Sequence, residues 1–470
     1  MPHFLGLDSS TQSLTALIVD TDSGRVIADR SVNFGQRLPQ YKSPSGFLDN
    51  PDPSVKHSDP LMWVAALDLL LGELVAGGVE LGRVRGVSGA GQQHGSVYLA
   101  RPIAAWSPDK PLVEQVRPLL SRATAPIWMD SSTSAECAEI ARAVGGDEQV
   151  MALTGSRMIE RFTGPQIRRF AKTDPAGWER TTEVHLVSSF IASILVGGRA
   201  PIDFGDGAGM NLLELAKGAW SPRLLEATAP GLGGKLAPAV ASTTRVGTLA
   251  DYFVKKYGFA AGTPVVAFTG DNPSSLVGMG ATRPGTAVIS LGTSDTMFAA
   301  MSAPRTDPRG FGNVFGNPAG GFMALACFAN GSLAREAVAK QVGLGWDEFA
   351  RAITERTKPG NGGNLLLPYF VPEITPRLLA PRPTWYGSDA FVAGKAPAAA
   401  ARAVVEAQAL SMRHHAEWIG ERTDTILVTG GASKNAGILR VLADVFQARI
   451  LPLKVGNSSA LGGALRAAQA

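Results

Sequence analysis

Apolar and polar positions alternate in two rhythms along this chain. Phe4 to Asp8 and Leu14 to Asp20 read as strands flanking a polar turn, Ser9 to Ser13. Asp22-Ser23-Gly24 then turns into a third extended run, Arg25 to Val32. Leu38 to Ser58 holds four prolines and reads as loop. The rhythm next becomes helical. Leu61, Val64, Leu67, Leu71 and Leu74 recur on one face after Asp59-Pro60, an N-cap followed by proline at the first helical position, and Gly77-Gly78 ends the run. A short strand, Val84 to Ser88, enters a glycine-rich loop, Gly89 to Gly95. Thr133 and Glu136 have capping-box spacing for a helix that Gly145-Gly146 stops.

The second half repeats the opening. Thr263 to Phe268 predicts a strand entering the loop Thr269 to Ser275. Ala287 to Leu291, Gly292 to Thr296 and Met297 to Met301 predict strand, polar turn and strand, the layout of residues 4–20. Thr425 to Thr429 reads as a strand ending in Gly430-Gly431, with a helix from about Lys434 to Phe446. Ser459 to Ala468 reads as a closing helix. The expected boundary lies near Gly258, after an Asp251 to Tyr257 helix. The pattern predicts two α/β domains, residues 1–258 and 259–470, each on a mixed sheet begun by an antiparallel hairpin, with a cleft between them.

Composition narrows the function classes. At 470 residues the chain exceeds what one hydrophobic core serves. With 45% apolar and 18% charged residues, it is not a disordered chain. Net charge is +4, and the tightest basic cluster, Arg161 to Lys172, holds only four cations, which argues against a nucleic-acid partner. Cys137 and Cys327 are far apart and neither lies in a CxxC pair, so a reducing compartment and no structural zinc are expected. Asp8 interrupts the apolar run Phe4 to Leu7, which speaks against a signal peptide. The longest uncharged stretch, Gly310 to Ala334, is broken by Asn313, Asn317, Pro318 and Asn330, the wrong composition for a bilayer span. The expectation is a soluble, cytoplasmic protein without a membrane partner.

Three polar turns carry candidate chemistry: Asp8-Ser9-Ser10-Thr11-Gln12, Gly292-Thr293-Ser294-Asp295-Thr296, and Thr429-Gly430-Gly431-Ala432-Ser433-Lys434-Asn435. Turns of small hydroxyl residues offer N–H and O–H donors to phosphate oxygens without bulk in the way. The third joins a glycine pair to a helix start, where backbone can approach a ring or phosphate closely. One such turn in each domain suits a nucleoside triphosphate gripped across a cleft. No Walker GxxxxGK[ST] pattern and no strand-linked GxGxxG is present. By themselves these turns also serve a non-catalytic nucleotide switch.

The three turns, in this order, resemble the FGGY carbohydrate kinases of the actin-like ATPase superfamily. So do Gly89 to Ser96 (GAGQQHGS), Ile127 to Thr133 (IWMDSST), Leu153 to Gly164 (LTGSRMIERFTG), Pro201 to Leu213 (PIDFGDGAGMNLL), Phe268 to Ser274 (FTGDNPS) and Leu427 to Asn435 (LVTGGASKN). The resemblance spans essentially the whole chain. It implies two actin-like (ribonuclease H-like) α/β domains with an interdomain cleft, acting as a monomer or homodimer. The implied activity is ATP- and Mg²⁺-dependent phosphorylation of a ketopentose, D-xylulose at its 5-hydroxyl. Ribulose, rhamnulose or glycerol is the alternative acceptor.

The resemblance also implies roles. Asp271 matches the catalytic base and a sugar contact; its spacing alone also suits a helix N-cap. His94, Gln93, Arg161 and Asn272 match sugar contacts, although His94 and Asn272 read equally as structural and Arg161 as an ion pair with Glu160. Asp8 matches the carboxylate that holds Mg²⁺ through water, compatible with how few carboxylates Mg²⁺ takes. Ser10, Thr11, Gly292 and Thr293 match phosphate contacts. Gly430, Gly431, Asn435 and Trp346 match adenosine contacts, although Trp346 reads equally as core or helix-start packing. Asp130, Asp203 and Asp206 are rival carboxylates that read as caps or turns, with Asp206 the next choice for the base. The chain departs from the family's first turn, which commonly carries glycine at Ser10 and Lys or Arg at Thr15. That departure removes a direct charge contact to phosphate.

Overall fold

The computed structural model describes residues 2–453 and 456–470. The chain divides into two compact units: Met1–Gly280, Phe315–Gly320 and Asn457–Ala470 in the first, Ala281–Val314 and Gly321–Gly456 in the second.

The alternation at the start of the chain yields three strands of the first unit. His3–Ser9 pairs antiparallel with Ser13–Asp20, which pairs antiparallel with Arg25–Asn33. On its other edge His3–Ser9 takes Val84–Gly91 in parallel, followed by Pro264–Val266 in parallel and Arg245–Thr248 antiparallel. The central strands are apolar on both sides because both faces are covered. Leu5, Leu7, Leu14 and Ile18 pack with Leu61, Val64, Leu67, Leu71 and Leu74 of the Pro60–Ala76 helix. Leu17 and Val19 pack on Ala460 and Ala464 of the Ser458–Gln469 helix. Asp59 caps the Pro60–Ala76 helix as expected, its carboxylate accepting from Leu61 N at 2.8 Å.

Four local expectations are corrected. The predicted glycine loop from Gly89 begins later, because the strand continues to Gly91 while it pairs with Ser9. The capping box at Thr133 does not form. Thr133 Oγ1 donates to Glu160 O at 2.6 Å, and Glu136 pairs with Lys172 at 3.0 Å. Thr269 to Ser275 is not a loop: Thr269–Gly270 extends beside Ala90 and Gly91, and a helix, Asp271–Gly278, follows at once. The final sheet-edge helix of the second unit begins at Ala436, after the 3-10 turn Gly431–Lys434.

The units also divide at Gly280, not near Gly258. Residues 259–280 stay in the first unit because Val265 pairs with Val87 and Thr269 with Ala90. The C-terminal helix returns to the same unit. Ser274 Oγ donates to Ser459 O at 2.7 Å, and the buried Arg466 donates to Gly89 O at 2.5 Å and Ala267 O at 2.6 Å. Asp271 therefore belongs to the first unit.

In the second unit Phe322–Phe328, Asp295–Met301 and Thr286–Leu291 are antiparallel neighbours, and Thr425–Thr429 and Arg449–Pro452 follow in parallel. This is the strand arrangement of the first unit, as the repeated pattern predicted. Among the described residues no helix is long and apolar enough to cross a membrane.

Candidate active site

Parallel pairing sets the ends of His3–Ser9 and Val84–Gly91 side by side, Asp8 opposite Ala90 and Ser9 opposite Gly91. Ligands gather at such strand ends in α/β sheets. Asp8 is buried; its Oδ2 accepts from Ser10 Oγ at 2.7 Å, while Oδ1 has no partner. Loss of hydration pushes its carboxyl up to about 6, against the hydroxyls of Ser10 and Ser459. Thr15 lies directly opposite Asp8 and donates to Ser31 Oγ at 3.1 Å, so position 15 brings a hydroxyl where the resemblance leads one to expect a cation. Thr11 Oγ1 accepts from the indole N–H of Trp128 at 2.8 Å.

Asp271 is the first residue of its helix, and Gly270 takes the N-cap position. Its Oδ1 accepts from Asn272 N at 2.8 Å and Asn272 Nδ2 at 3.1 Å. Asn272 Nδ2 also donates to Gln93 Oε1 at 2.9 Å. Asp271 as a residue is half-buried, and the protein packed around its carboxyl together with the nearby charge of Asp8 pushes it up to about 7. Asp271, Asn272 and Gln93 thus form one hydrogen-bonded group with a carboxyl that titrates near neutrality, the condition a general base needs.

His94 is buried in a left-handed backbone conformation, φ 70°. Its ring stacks on Phe162 at 4.2 Å, and Nδ1 lies 2.7 Å from Gly209 O. Burial and the charge of Arg161 hold the imidazole far below its usual range, down to about 3, so the ring is neutral. A carbonyl can only accept, so Nδ1 carries the proton and Nε2 keeps a lone pair for a donor. Arg161 forms no ion pair with Glu160; its guanidinium lies 6.0 Å from the Phe162 ring centre, and Glu160 accepts from Ser134 instead. Phe162, which adjoins Arg161, supplies the face on which the His94 ring stacks; no motif spacing marks it.

The rival carboxylates are occupied elsewhere. Asp130 receives Lys56 N, Ser132 and Gln166 at 2.6 to 3.0 Å, with His57 at 3.5 Å, and it ties the loop carrying Trp128 to Glu160 through Gln166. Asp203 caps the turn at Asp206 N and takes the hydroxyls of Thr269 and Ser242. Asp206 is fully buried and accepts from Ser188 Oγ at 2.5 Å.

The second unit brings the other two turns together. A side chain at Gly430 (φ 91°) would collide with Leu291 O, at the entrance to the Gly292–Thr296 turn. Gly292 O accepts from Ser332 N at 2.9 Å, and Asp295 closes the turn through a buried bidentate pair with Arg335, at 2.7 and 2.9 Å. Thr293 is exposed. Beside them lies a cavity of about 550 Å³ walled by Gly431, Asn435 and Trp346. Ser332, Glu336, Asp347 and Lys434 also line it, Lys434 from the third polar turn. Asn435 caps the following helix through Ile438 N at 3.2 Å, and space is open at Gly431.

Residues 3–278 match the N-terminal domain and residues 287–470 the C-terminal domain of the FGGY family of carbohydrate kinases. The chain belongs to this family, whose members are phosphotransferases. Among its relatives, it is 42% identical to the xylulose kinase of Mus musculus over 473 residues, covering 98% of this chain and 85% of the mouse protein. It is 40% identical to xylulose kinase 2 of Arabidopsis thaliana over 495 residues, covering 99% of this chain and 86% of the plant protein. The fold is that of the crystal structure of xylulose kinase from Bifidobacterium adolescentis, with a TM-score of 0.82 at 23% identity, covering 99% of this chain and 92% of that one.

Proposed function

We propose that this kinase transfers the γ-phosphoryl group of ATP to the 5-hydroxyl of D-xylulose. The observation that carries the chemistry is Asp271: a carboxyl at a helix start, pushed up to about 7, with one oxygen held by Asn272. The acceptor follows from the xylulose kinases to which the chain is similar over nearly its whole length.

In this reading His94 Nε2 accepts from a sugar hydroxyl, Arg161 and Gln93 donate to others, and Asn272, whose amide hydrogens go to Gln93 and Asp271, offers its Oδ1 as an acceptor. The 5-hydroxyl gives its proton to Asp271 Oδ2 as its oxygen bonds to the γ-phosphorus. The bond from that phosphorus to the bridging oxygen breaks, and the electron pair leaves with ADP. Thr11, Gly292 and Thr293 donate to phosphate oxygens, and Ser10 joins them by turning its hydroxyl from Asp8 to phosphate; Gly430, Gly431, Asn435 and Trp346 receive the adenosine. The unpartnered Oδ1 of Asp8 suits a hydrated Mg²⁺, which takes few carboxylates and keeps waters; bound there it neutralises charge on the phosphates. The two cysteines lie one in each unit, and we place the enzyme in the reducing cytoplasm, as a monomer or homodimer.

The test is ADP release followed with D-xylulose, ribulose, rhamnulose, glycerol and no acceptor. Turnover that requires D-xylulose and exceeds that with the other acceptors supports the reading. ATP hydrolysis indifferent to every acceptor overturns it in favour of a nucleotide switch.

A further inference from the structure

We infer that Asp206 is a positioning residue for the base: its buried carboxyl, wedged against Gly270, holds the start of the Asp271–Gly278 helix in the arrangement that aims Asp271. The inference rests on the reading of Asp271 as the base.

The geometry begins at Gly270. A Cβ at this residue would lie 2.5 Å from Gln93 Cγ and 2.9 Å from Asp206 Oδ1. The side chains of Gln93 and Asp206 therefore fill the space that a larger residue 270 would take. Asp206 is tethered on two sides. Its N–H donates to Asp203 Oδ1 at 3.0 Å, and its Oδ2 accepts from Ser188 Oγ at 2.5 Å, within the buried helix Val187–Val196. Asp203 also takes the hydroxyl of Thr269, the residue before Gly270.

From Gly270 the contact chain to the base is short. Gln93 Oε1 accepts from Asn272, and Asn272 donates twice to Asp271 Oδ1. Asp206 Oδ1 and Gln93 Nε2 are both buried without partners, a leftover acceptor and a leftover donor beside one glycine. Three residues further on, Gly209 O fixes the tautomer of His94. The segment 203–209 thus supports both the base and the ring that reads the sugar. Asp206 is buried with Oδ2 engaged by Ser188, which suits holding its neighbours in place more than accepting a proton. Burial also holds its carboxyl well above the usual range.

The experiment measures kcat per ATP-binding site, and KM for ATP, in wild type, Asp206→Ala, Asp206→Asn and Ser188→Ala. Misplacing a catalytic group by about 1 Å costs up to ~10²-fold. The expected result is a kcat lower by about tenfold or more in Asp206→Ala, with KM for ATP within about twofold. Asp206→Asn, uncharged and nearly the same shape, should recover most of that loss. A purely structural role would lower the number of ATP-binding sites, not the turnover of each. Should Asp206→Ala fail to fold, Ser188→Ala carries the test, because it frees Oδ2 without emptying the site; a kcat several-fold lower supports the inference. An unchanged kcat per site in Asp206→Ala or Ser188→Ala overturns it. So does a loss in Asp206→Asn as large as that in Asp206→Ala, which would make the charge itself essential. Wild type without sugar-dependent turnover sinks both readings; an active wild type with an unaffected Asp206→Ala sinks this one alone.

Discussion

Asn272 donates its backbone N–H and its side-chain amide to the same oxygen of its neighbour, Asp271 Oδ1, at 2.8 and 3.1 Å. One carboxylate oxygen is thereby held by its own neighbour. Replacing the acid by its amide keeps the shape and removes the base. Base catalysis contributes ~10²–10⁴-fold, so Asp271→Asn should lose at least about 100-fold in kcat while ATP affinity, read by titration calorimetry, stays the same. A near-normal kcat would take the base role from Asp271.

The pH profile follows from the same carboxyl. Asp271 must be ionised to accept a proton, so kcat/KM for the sugar should rise with pH and level off above about 7. The charge of Asp8 helps to raise that value, so Asp8→Asn should move the midpoint to lower pH, besides impairing use of Mg-ATP. Stability should run the other way. The folded pKa of Asp271, about 7, exceeds the ordinary 3.8, so the folded state holds the proton longer and loses stability as pH rises across that window. Asp271→Asn should therefore gain in Tm relative to wild type at pH 8 compared with pH 4.

His94 is held in a left-handed conformation, against Phe162 and with Nδ1 on Gly209 O. Asparagine tolerates that backbone, so His94→Asn isolates the loss of the ring. One lost hydrogen bond of about 1.4 kcal/mol corresponds to about a tenfold rise in KM for the sugar, with KM for ATP little changed. Equal rises in both constants would argue that His94 is structural.

Gly430 and Gly431 are adjacent and should respond oppositely. A side chain at Gly430 meets Leu291 O and an unfavourable φ of 91°, so Gly430→Ala should cost ~1–3 kcal/mol and lower Tm. Nothing lies within 4 Å of a Cβ at Gly431, which faces the cavity with Trp346. Gly431→Val should leave Tm nearly unchanged and raise KM for ATP at least severalfold. An unaltered KM would remove this cavity from nucleotide binding.

Much of this architecture was legible in the one-dimensional pattern. Strand alternation and helical spacing are set by which side of an element faces a core, so the hairpins at residues 4–20 and 287–301 and the face Leu61 to Leu74 could be read directly. The polar turns that follow these strands were legible too, because small hydroxyl and glycine residues mark where a strand ends. What pairs with what was not legible. Thr133 prefers Glu160 O to its own helix, and Gly89 to Gly91 prolong a strand, because partners far away in the chain offered better hydrogen bonds than local ones. The assignment of residues 259–280 and 457–470 to the first unit depends on the sheet edge at Val87 to Gly91 and on the pocket that buries Arg466. The neutral His94, the raised Asp271 and the burial of Asp206 likewise belong to tertiary structure, since a titration near neutrality comes from lost hydration and neighbouring charge, which no residue carries alone. By itself the sequence determined which residues are candidates for the chemistry; folding decided which of the carboxylates are buried, which are bonded to other groups and which way burial and neighbouring charge move their titration.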